Sequence, residues 1–169
     1  MNTLIVSTSL NVNSNSRKLA LYAKDKLADK ANYIDLQDYN LPLCDGDTCY
    51  NHPNVIKIKP IIEEAKFIIM CIPVYNFGSG SSSKNLIELT GNVFKEKIIG
   101  FMCAAGGKAS YMSVMSLANS LMLDFRCLIV PRFVYASRDL FENDNIDAEI
   151  TNRIDLLLEF GQKLIPILN

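Results

Sequence analysis

The sequence predicts one three-layer α/β/α sandwich built on a five-stranded parallel sheet with the strand order 2-1-3-4-5. Short apolar runs alternate with helix-like segments along the 169 residues, which is typical of parallel strands joined by crossover helices. The runs are apolar almost throughout, so both faces of the sheet are expected to be covered by helices. Because no linker or internal repeat interrupts this pattern, residues 1–169 are expected to form a single domain.

The individual elements follow from these runs. The predicted strands are TLIVS (3–7), NYIDL (32–36), FIIMCI (67–72), IIGFMCA (98–104) and CLIVPRFVY (127–135). The predicted helices are 16–30, 55–65, 83–94, 110–124 and 147–168. In the first helix, Leu19, Ala23 and Leu27 fall on one stripe, as in a helix with one buried face. A half-Rossmann strand order is the alternative arrangement with right-handed crossovers.

Composition and charge exclude several classes of function. The formal net charge is -1 and like charges form no block, so neither nucleic acid nor an acidic membrane surface is an expected partner. No apolar run approaches the roughly 20 residues that span a bilayer, and the opening residues lack the pattern of a signal peptide. The five cysteines include no C-x-x-C pair, which is typical of reduced thiols. We therefore expect a cytoplasmic protein.

The loop after the first strand is rich in hydroxyl and amide side chains. It contains Ser9, Asn11, Ser14, Asn15 and Ser16, whereas a helix start needs only one such residue as a cap. The free amides of a helix N-terminus favour an anion, so this loop indicates a phosphate site. It has neither a P-loop nor a G-x-G-x-x-G motif. A solvated loop with an ordinary cap is the alternative.

The loop after the third strand combines aromatic residues with glycines and serines. Pro73 is expected to end the strand, because proline lacks the amide that a ladder uses. Tyr75 and Phe77 flank Asn76 and offer a surface on which a flat ring can stack. The alternative is that both rings fill space in the core or at an interface.

The loop after the fourth strand, CAAGGKASY (103–111), leaves the sheet at the same end. At Ala105, Gly106 and Gly107, backbone amides can approach the polar edge of a ring, with Lys108 nearby. A tight turn would also explain the two glycines. In the predicted strand order these loops meet at the switch point where open α/β sheets bind ligands. Together they suit flavin mononucleotide (FMN).

Two segments resemble the NAD(P)H-dependent FMN reductase family of flavodoxin-like proteins. PVYNFGSGSSSKNLIE (73–88) is similar to the family pattern P-x-Y-N-x-S-x-P-x-x-L-K-N-A-I-D. TSLNVNSNS (8–16) is similar to the phosphate loop of the family. The order of strands and helices resembles that of the family over the whole chain. The matching residues are Ser9, Ser14, Asn15, Ser16, Pro73, Tyr75, Asn76, Lys84, Asn85 and Ile87. The departures are Asn11 for Arg, Val74 for an acidic or polar residue, Gly78 for Ser, Gly80 for Pro and Ser83 for Leu.

The resemblance implies a flavodoxin-like, FMN-dependent oxidoreductase that passes hydride from NAD(P)H through FMN to a small acceptor such as a quinone, a flavin or an azo compound. It also implies a homodimer, with a tetramer as the further option. We assign no metal ligand and no general acid or base, because this reaction requires none. The predicted cofactor-binding residues are Ser9, Asn11, Ser14, Asn15, Ser16, Pro73, Val74, Tyr75, Asn76, Phe77, Ala105, Gly106 and Gly107. An FMN-binding electron carrier and a binding module with a degraded site are the alternatives.

Two further segments are interpreted without a catalytic role. CDGDTCYNH (44–52) matches no zinc spacing and is expected to be a solvated loop, near the rim of the active site if the family resemblance holds. The helix 110–124 is apolar nearly all round, which favours a homodimer contact on the face that the core does not use.

Overall fold

The computed structural model describes residues 2–142 and 145–168. The main strands are β1 (Thr3–Ser7), β2 (Ala31–Asp35), β3 (Phe67–Tyr75), β4 (Gly78–Ser79), β5 (Ile98–Ala105), β6 (Leu128–Ile129) and β7 (Val134–Ser137). They form one sheet in the order β2-β1-β3-β5, with β6 and β7 both paired to the outer edge of β5. All pairs are parallel except the short β3 and β4 hairpin. The predicted order 2-1-3-4-5 is confirmed, with β5 as the predicted fourth strand.

Helices cover both faces of this sheet, as predicted. They are α1 (Asn15–Leu27), α2 (Pro53–Glu64), α3 (Ser81–Thr90), α4 (Met115–Phe125) and α5 (Ala148–Leu164). Alternate residues of β1 serve the two faces, because side chains of a strand point to opposite sides in turn. Ile5 packs in the core beneath α1 and α5, whereas Leu4 and Val6 pack beneath α2, α3 and α4. In the described part of the chain, no helix has the length and apolarity that crossing a membrane requires.

The prediction that Pro73 ends the third strand is wrong. β3 continues to Tyr75, and Pro73 pairs with Ala104 of β5. The carbonyl of Cys71 faces β1 and accepts the N–H of Thr8, and Pro73 faces the same side two residues later. Since β1 has already ended at that level, the missing amide of Pro73 leaves no ladder partner unsatisfied.

The predicted single strand 127–135 is divided into β6 and β7. Ile98 pairs with Leu128, and Met102 pairs with Val134. Between these two pairs the outer strand therefore has two more residues than β5. Pro131 lies in the interruption, where its lack of an N–H prevents a continuous ladder. After the interruption β7 runs on beyond the predicted end of the strand.

Candidate functional site

The loop between β1 and α1 presents hydrogen-bond donors at the start of a helix. Ser14 is the N-cap of α1, but its side chain makes no capping hydrogen bond to the helix. Its hydroxyl oxygen instead lies 2.7 Å from that of Ser16. The first turn of α1 holds no acidic side chain. Its free amides and these two hydroxyls form an arrangement that favours a bound anion.

The cation in the first turn of α1 is paired with a buried carboxylate. Nε of Arg17 lies 2.7 Å from the carboxylate of Asp35, which is 2% exposed. A hydrogen bond with Tyr33 and the charge of Asp35 raise the pKa of Arg17. Burial raises the pKa of Tyr33 to about 12, so this hydroxyl stays protonated and donates to Asp35. Arg17 therefore contributes to packing between α1 and β2 rather than to the loop's anion site.

The chain after β3 reverses in a two-residue hairpin turn that carries exposed rings. Tyr75 pairs with Gly78, and Asn76 and Phe77 between them have φ values of 48° and 64°, as in a type I′ turn. Glycine is favoured at the second position, so Phe77 adds strain of roughly 1–3 kcal/mol. Phe77 is nevertheless 71% exposed, and Tyr75 is 56% exposed. Neither ring packs in the core.

The loop after β5 is open at its two glycines. A Cβ added to Gly106 or Gly107 would meet no atom within 4 Å, and neither residue has a left-handed φ. The turn itself therefore does not require glycine, whereas close approach of a ligand does. On its other side the loop is tied to β7, because the hydroxyl of Tyr135 donates a hydrogen bond to the carbonyl of Gly107.

These loops and the loop after β7 surround one cavity of about 680 Å³ at the carboxyl end of the sheet. Its wall includes all of the predicted cofactor-binding residues except Ser9. The lining residues are Asn11, Asn13, Ser14, Asn15, Ser16, Pro73, Val74, Tyr75, Asn76, Phe77, Ala104, Ala105, Gly106, Gly107, Ser110 and Arg138.

Ser9 lies behind the loop instead of on the cavity wall. Its side chain is fully buried, and its hydroxyl accepts the N–H of Asn11 at 3.2 Å. Its carbonyl accepts the side-chain amide of Gln37 at 3.4 Å. Ser9 therefore shapes the loop that Asn11 presents to the cavity.

Four lining residues are absent from the predicted set. Asn13, Ala104 and Ser110 lie close in sequence to predicted residues, whereas Arg138 comes from the segment after β7, which supplies none of the predicted residues. Arg138 follows Ser137, which pairs with Ala105 of β5. The place of Arg138 directly after a parallel strand could have indicated its role, because the loops that follow parallel strands lie at the same edge of the sheet. Among the described residues that line the cavity, only Arg138 is charged.

A smaller cavity of about 410 Å³ adjoins the same β1 loop through Leu10. Leu43 and Asn85 of α3 are among the residues that line it. Asn85 also holds the segment around Leu43 in place, because its side chain accepts the N–H of Cys44 and donates to the carbonyl of Pro42, each at 2.9 Å. No residue of the segment 44–52 lines the larger cavity.

His52, in that segment, caps a helix. Its Nδ1 accepts the N–H of Asn54 at 3.2 Å, at the start of α2. Within residues 2–142 and 145–168, no group of three His, Cys, Asp or Glu side chains is arranged to hold a metal ion.

A model of the NADPH-dependent FMN reductase family matches residues 1–140. The chain resembles the flavoenzyme NAD(P)H:(acceptor) oxidoreductase FerB from Paracoccus denitrificans, with a TM-score of 0.77 and 19% identity over 96% of this chain and 98% of that one. It also resembles an NADH:FMN oxidoreductase, with a TM-score of 0.71 and 17% identity over 95% and 88% of the two chains. A third similar structure, an NADPH-quinone reductase from P. pentosaceus, has a TM-score of 0.62 and 14% identity over 96% and 97%. No curated protein sequence matches the chain. At these identities the structures share the flavodoxin-like fold.

Proposed function

This chain belongs to the NADPH-dependent FMN reductase family, and on that premise we propose that it binds FMN in the larger cavity and uses it to oxidise NAD(P)H. One observation carries the proposal: the N-terminus of α1, the aromatic hairpin and the Gly106–Gly107 loop border a single cavity. Its volume of about 680 Å³ suits a cofactor, since ligand pockets measure roughly 300–1,000 Å³.

The β1 loop fits the phosphate of FMN. The hydroxyl of Ser14 is not used as a helix cap, and the first turn of α1 itself holds no acidic residue. Ser14 and Ser16 would therefore hold the phosphate with these amides, as helix N-termini hold anions. Arg138 adds one positive charge to the wall of the same cavity.

The hairpin and the glycine loop fit the flavin ring. Tyr75 and Phe77 offer exposed aromatic surface for stacking, and Gly106 and Gly107 leave backbone amides uncovered for the polar edge of the ring. Bound FMN supplies the redox chemistry, which is hydride acceptance from NAD(P)H and electron delivery to a small acceptor such as a quinone, a flavin or an azo compound. The residues of the chain bind and orient the cofactor, and the proposal requires no general acid or base.

We also propose that a second copy of the chain packs on α4 and the turn before it. Leu123, Met112, Met115 and Met122 expose 79%, 65%, 41% and 38% of their surface, so one side of this region does not meet the core. Light scattering on the purified protein should give twice the mass of one chain. Leu123→Glu should shift that mass toward one chain, and a wild-type protein with the mass of one chain would contradict the dimer.

Titration of the purified chain with FMN tests the cofactor assignment. We expect saturable quenching of flavin fluorescence, and NADPH oxidation that accelerates when a quinone is added. Unchanged flavin fluorescence would contradict FMN binding. Tight FMN binding with negligible NADPH oxidation would favour an electron carrier instead of a reductase.

A further inference from the structure

Two cysteines face each other across the turn between β2 and α2. The Sγ atoms of Cys44 and Cys49 lie 3.9 Å apart, whereas a disulfide bond requires about 2.0 Å. Cys44 is half-buried and Cys49 is buried. The two sulfur atoms must therefore approach by about 2 Å for a disulfide to form.

Hydrogen bonds from their backbone N–H groups to neighbouring side chains hold both cysteines in place. The N–H of Cys44 donates to Oδ1 of Asn85 at 2.9 Å, and the N–H of Cys49 donates to Oδ1 of Asp45 at 3.0 Å. Gly46 between them has a φ of 76°, a conformation in which glycine carries no steric cost. The turn therefore brings the two sulfur atoms together before any bond forms between them.

We propose that Cys44 and Cys49 form a reversible dithiol site that a hydroperoxide oxidises to a disulfide. The thiolate of Cys44 attacks the O–O bond of hydrogen peroxide, which leaves a sulfenic acid on Cys44 and, after protonation, one water. The thiol of Cys49 then attacks that sulfur, the S–S bond forms, and a second water leaves. The two thiols lose two electrons and two protons, and the peroxide is reduced to two waters. Thiol exchange with an external dithiol restores the starting state.

The surroundings of the two sulfurs assign their roles. Peroxide reaches the half-buried Cys44 first, and the hydroxyl of Tyr50 lies 3.7 Å from its Sγ, where it can donate to a thiolate. Burial and a hydrogen bond to Asp45 raise the pKa of Cys49, which disfavours a thiolate there. Cys44 therefore initiates the reaction and Cys49 completes it.

The other three cysteines serve as internal controls. Cys71, Cys103 and Cys127 are buried, and burial raises the pKa of each thiol. Buried thiols of this kind are inert toward oxidants. Neither Cys44 nor Cys49 lines the larger cavity, so this proposal stands whether or not FMN binds there.

Mass spectrometry of the full chain after treatment with hydrogen peroxide tests the proposal. We expect the protein to lose two hydrogen atoms and two alkylatable thiols, both mapped to Cys44 and Cys49, and dithiothreitol to restore them. In Cys49→Ser, dimedone should label a sulfenic acid on Cys44. In Cys44→Ser, oxidation of Cys49 should slow by about tenfold or more.

A matched variant tests whether the turn prepares the pair. Asn85→Ala removes the anchor of Cys44 and keeps both sulfurs, so disulfide formation should slow several-fold. Before oxidation, the denatured variant should still give all five thiols on alkylation. An unchanged rate would show that Asn85 does not position the pair. Three results would overturn the dithiol site. The first is that both thiols stay alkylatable after peroxide treatment, and the second is that disulfides form only between separate chains. The third is that Cys44→Ser and wild type oxidise at equal rates.

Discussion

The hydroxyl of Tyr135 donates a hydrogen bond of 2.5 Å to the carbonyl oxygen of Gly107. Tyr135 lies on β7 opposite Cys103 of β5, and it does not line the larger cavity. The bond turns the Gly107 carbonyl toward Tyr135, and because the peptide is trans, the N–H of Lys108 points the opposite way. One strand thus determines how the loop of its neighbour presents its donors.

Tyr135→Phe should weaken FMN binding by releasing this loop. A hydrogen bond contributes about 0.5–1.5 kcal/mol, so the Kd for FMN is expected to rise roughly two- to tenfold. Fluorescence titration measures the change. Tyr111→Phe is the control, because the Tyr111 ring packs 5.5 Å from that of Tyr135 while its hydroxyl is not part of the bond. Equal Kd values for the two variants would contradict the positioning role of Tyr135.

Ser14→Asp should separate helix stability from phosphate binding. An Asp at the N-cap suits the start of α1, so the free energy of unfolding should rise by about 0.3–1 kcal/mol. The same charge repels a phosphate, and FMN affinity should fall by more than about tenfold. Ser14→Asn supplies a neutral cap whose amide can still donate to the phosphate, so FMN affinity should fall much less than in Ser14→Asp. Urea unfolding and flavin titration give the two quantities, and wild-type affinity in Ser14→Asp would refute the phosphate assignment.

Phe77→Gly should stabilise the fold and weaken FMN binding. Phe77 has a φ of 64°, so glycine relieves strain by about 0.5–1 kcal/mol after allowing for its greater freedom in the unfolded chain. Loss of the ring removes stacking, and the Kd for FMN should rise several-fold. Glu96, at a φ of 60°, is exposed and outside the cavity. Glu96→Gly should therefore bring a similar gain in stability with unchanged binding. If Phe77→Gly also binds FMN normally, the ring does not stack on the cofactor.

Alanine at Gly80 and alanine at Gly106 should change different properties of the protein. A Cβ at Gly80 would lie 2.9 Å from Cγ of Pro73 and 3.2 Å from its carbonyl oxygen, whereas a Cβ at Gly106 meets no atom within 4 Å. Gly80→Ala should lower the free energy of unfolding by about 1–3 kcal/mol. Gly106→Ala should leave folding unchanged and reduce FMN affinity, because its methyl group would enter the cofactor's space. Similar stability losses in both variants, measured by urea unfolding, would contradict this distinction.

Arg138→Gln should weaken binding of the anionic cofactor. Arg138 is the charged residue among the described residues of the cavity wall, so its loss should raise the Kd for FMN and reduce the dependence of that Kd on salt. Arg132 stacks on Phe160 away from the cavity, which makes Arg132→Gln a control of equal charge. The same salt dependence in both variants would exclude a role for Arg138 in binding.

Much of this fold could be predicted because its strands have a simple local pattern. β1 begins and ends at the predicted residues, since a strand covered on both faces is apolar throughout. The convergence of the loops followed from strand order alone, because the carboxyl ends of parallel strands share one edge. That argument was sufficient to bring Ser14, Tyr75 and Gly106 to one cavity.

The features that the sequence patterns missed depend largely on segments far apart in sequence. Pro73 continues its strand because β1 has already ended beside it. Ser9 turns inward to the N–H of Asn11 and the side chain of Gln37. Arg138 reaches the cavity because β7 resumes after the interruption at Pro131 and pairs with β5 again. Apart from the local bond between Ser9 and Asn11, these contacts join residues that a window of neighbouring residues does not contain.

The sequence by itself determined the order of strands and helices and the edge of the sheet where a ligand belongs, because hydrophobic periodicity and strand order are enough for those conclusions. Only the tertiary structure decided which side chains of each loop reach the cavity, and that Cys44 meets Cys49. Those directions depend on hydrogen bonds between distant segments, such as Tyr135 to Gly107 and Cys44 to Asn85. Such bonds form only once the sheet and its helices are in place.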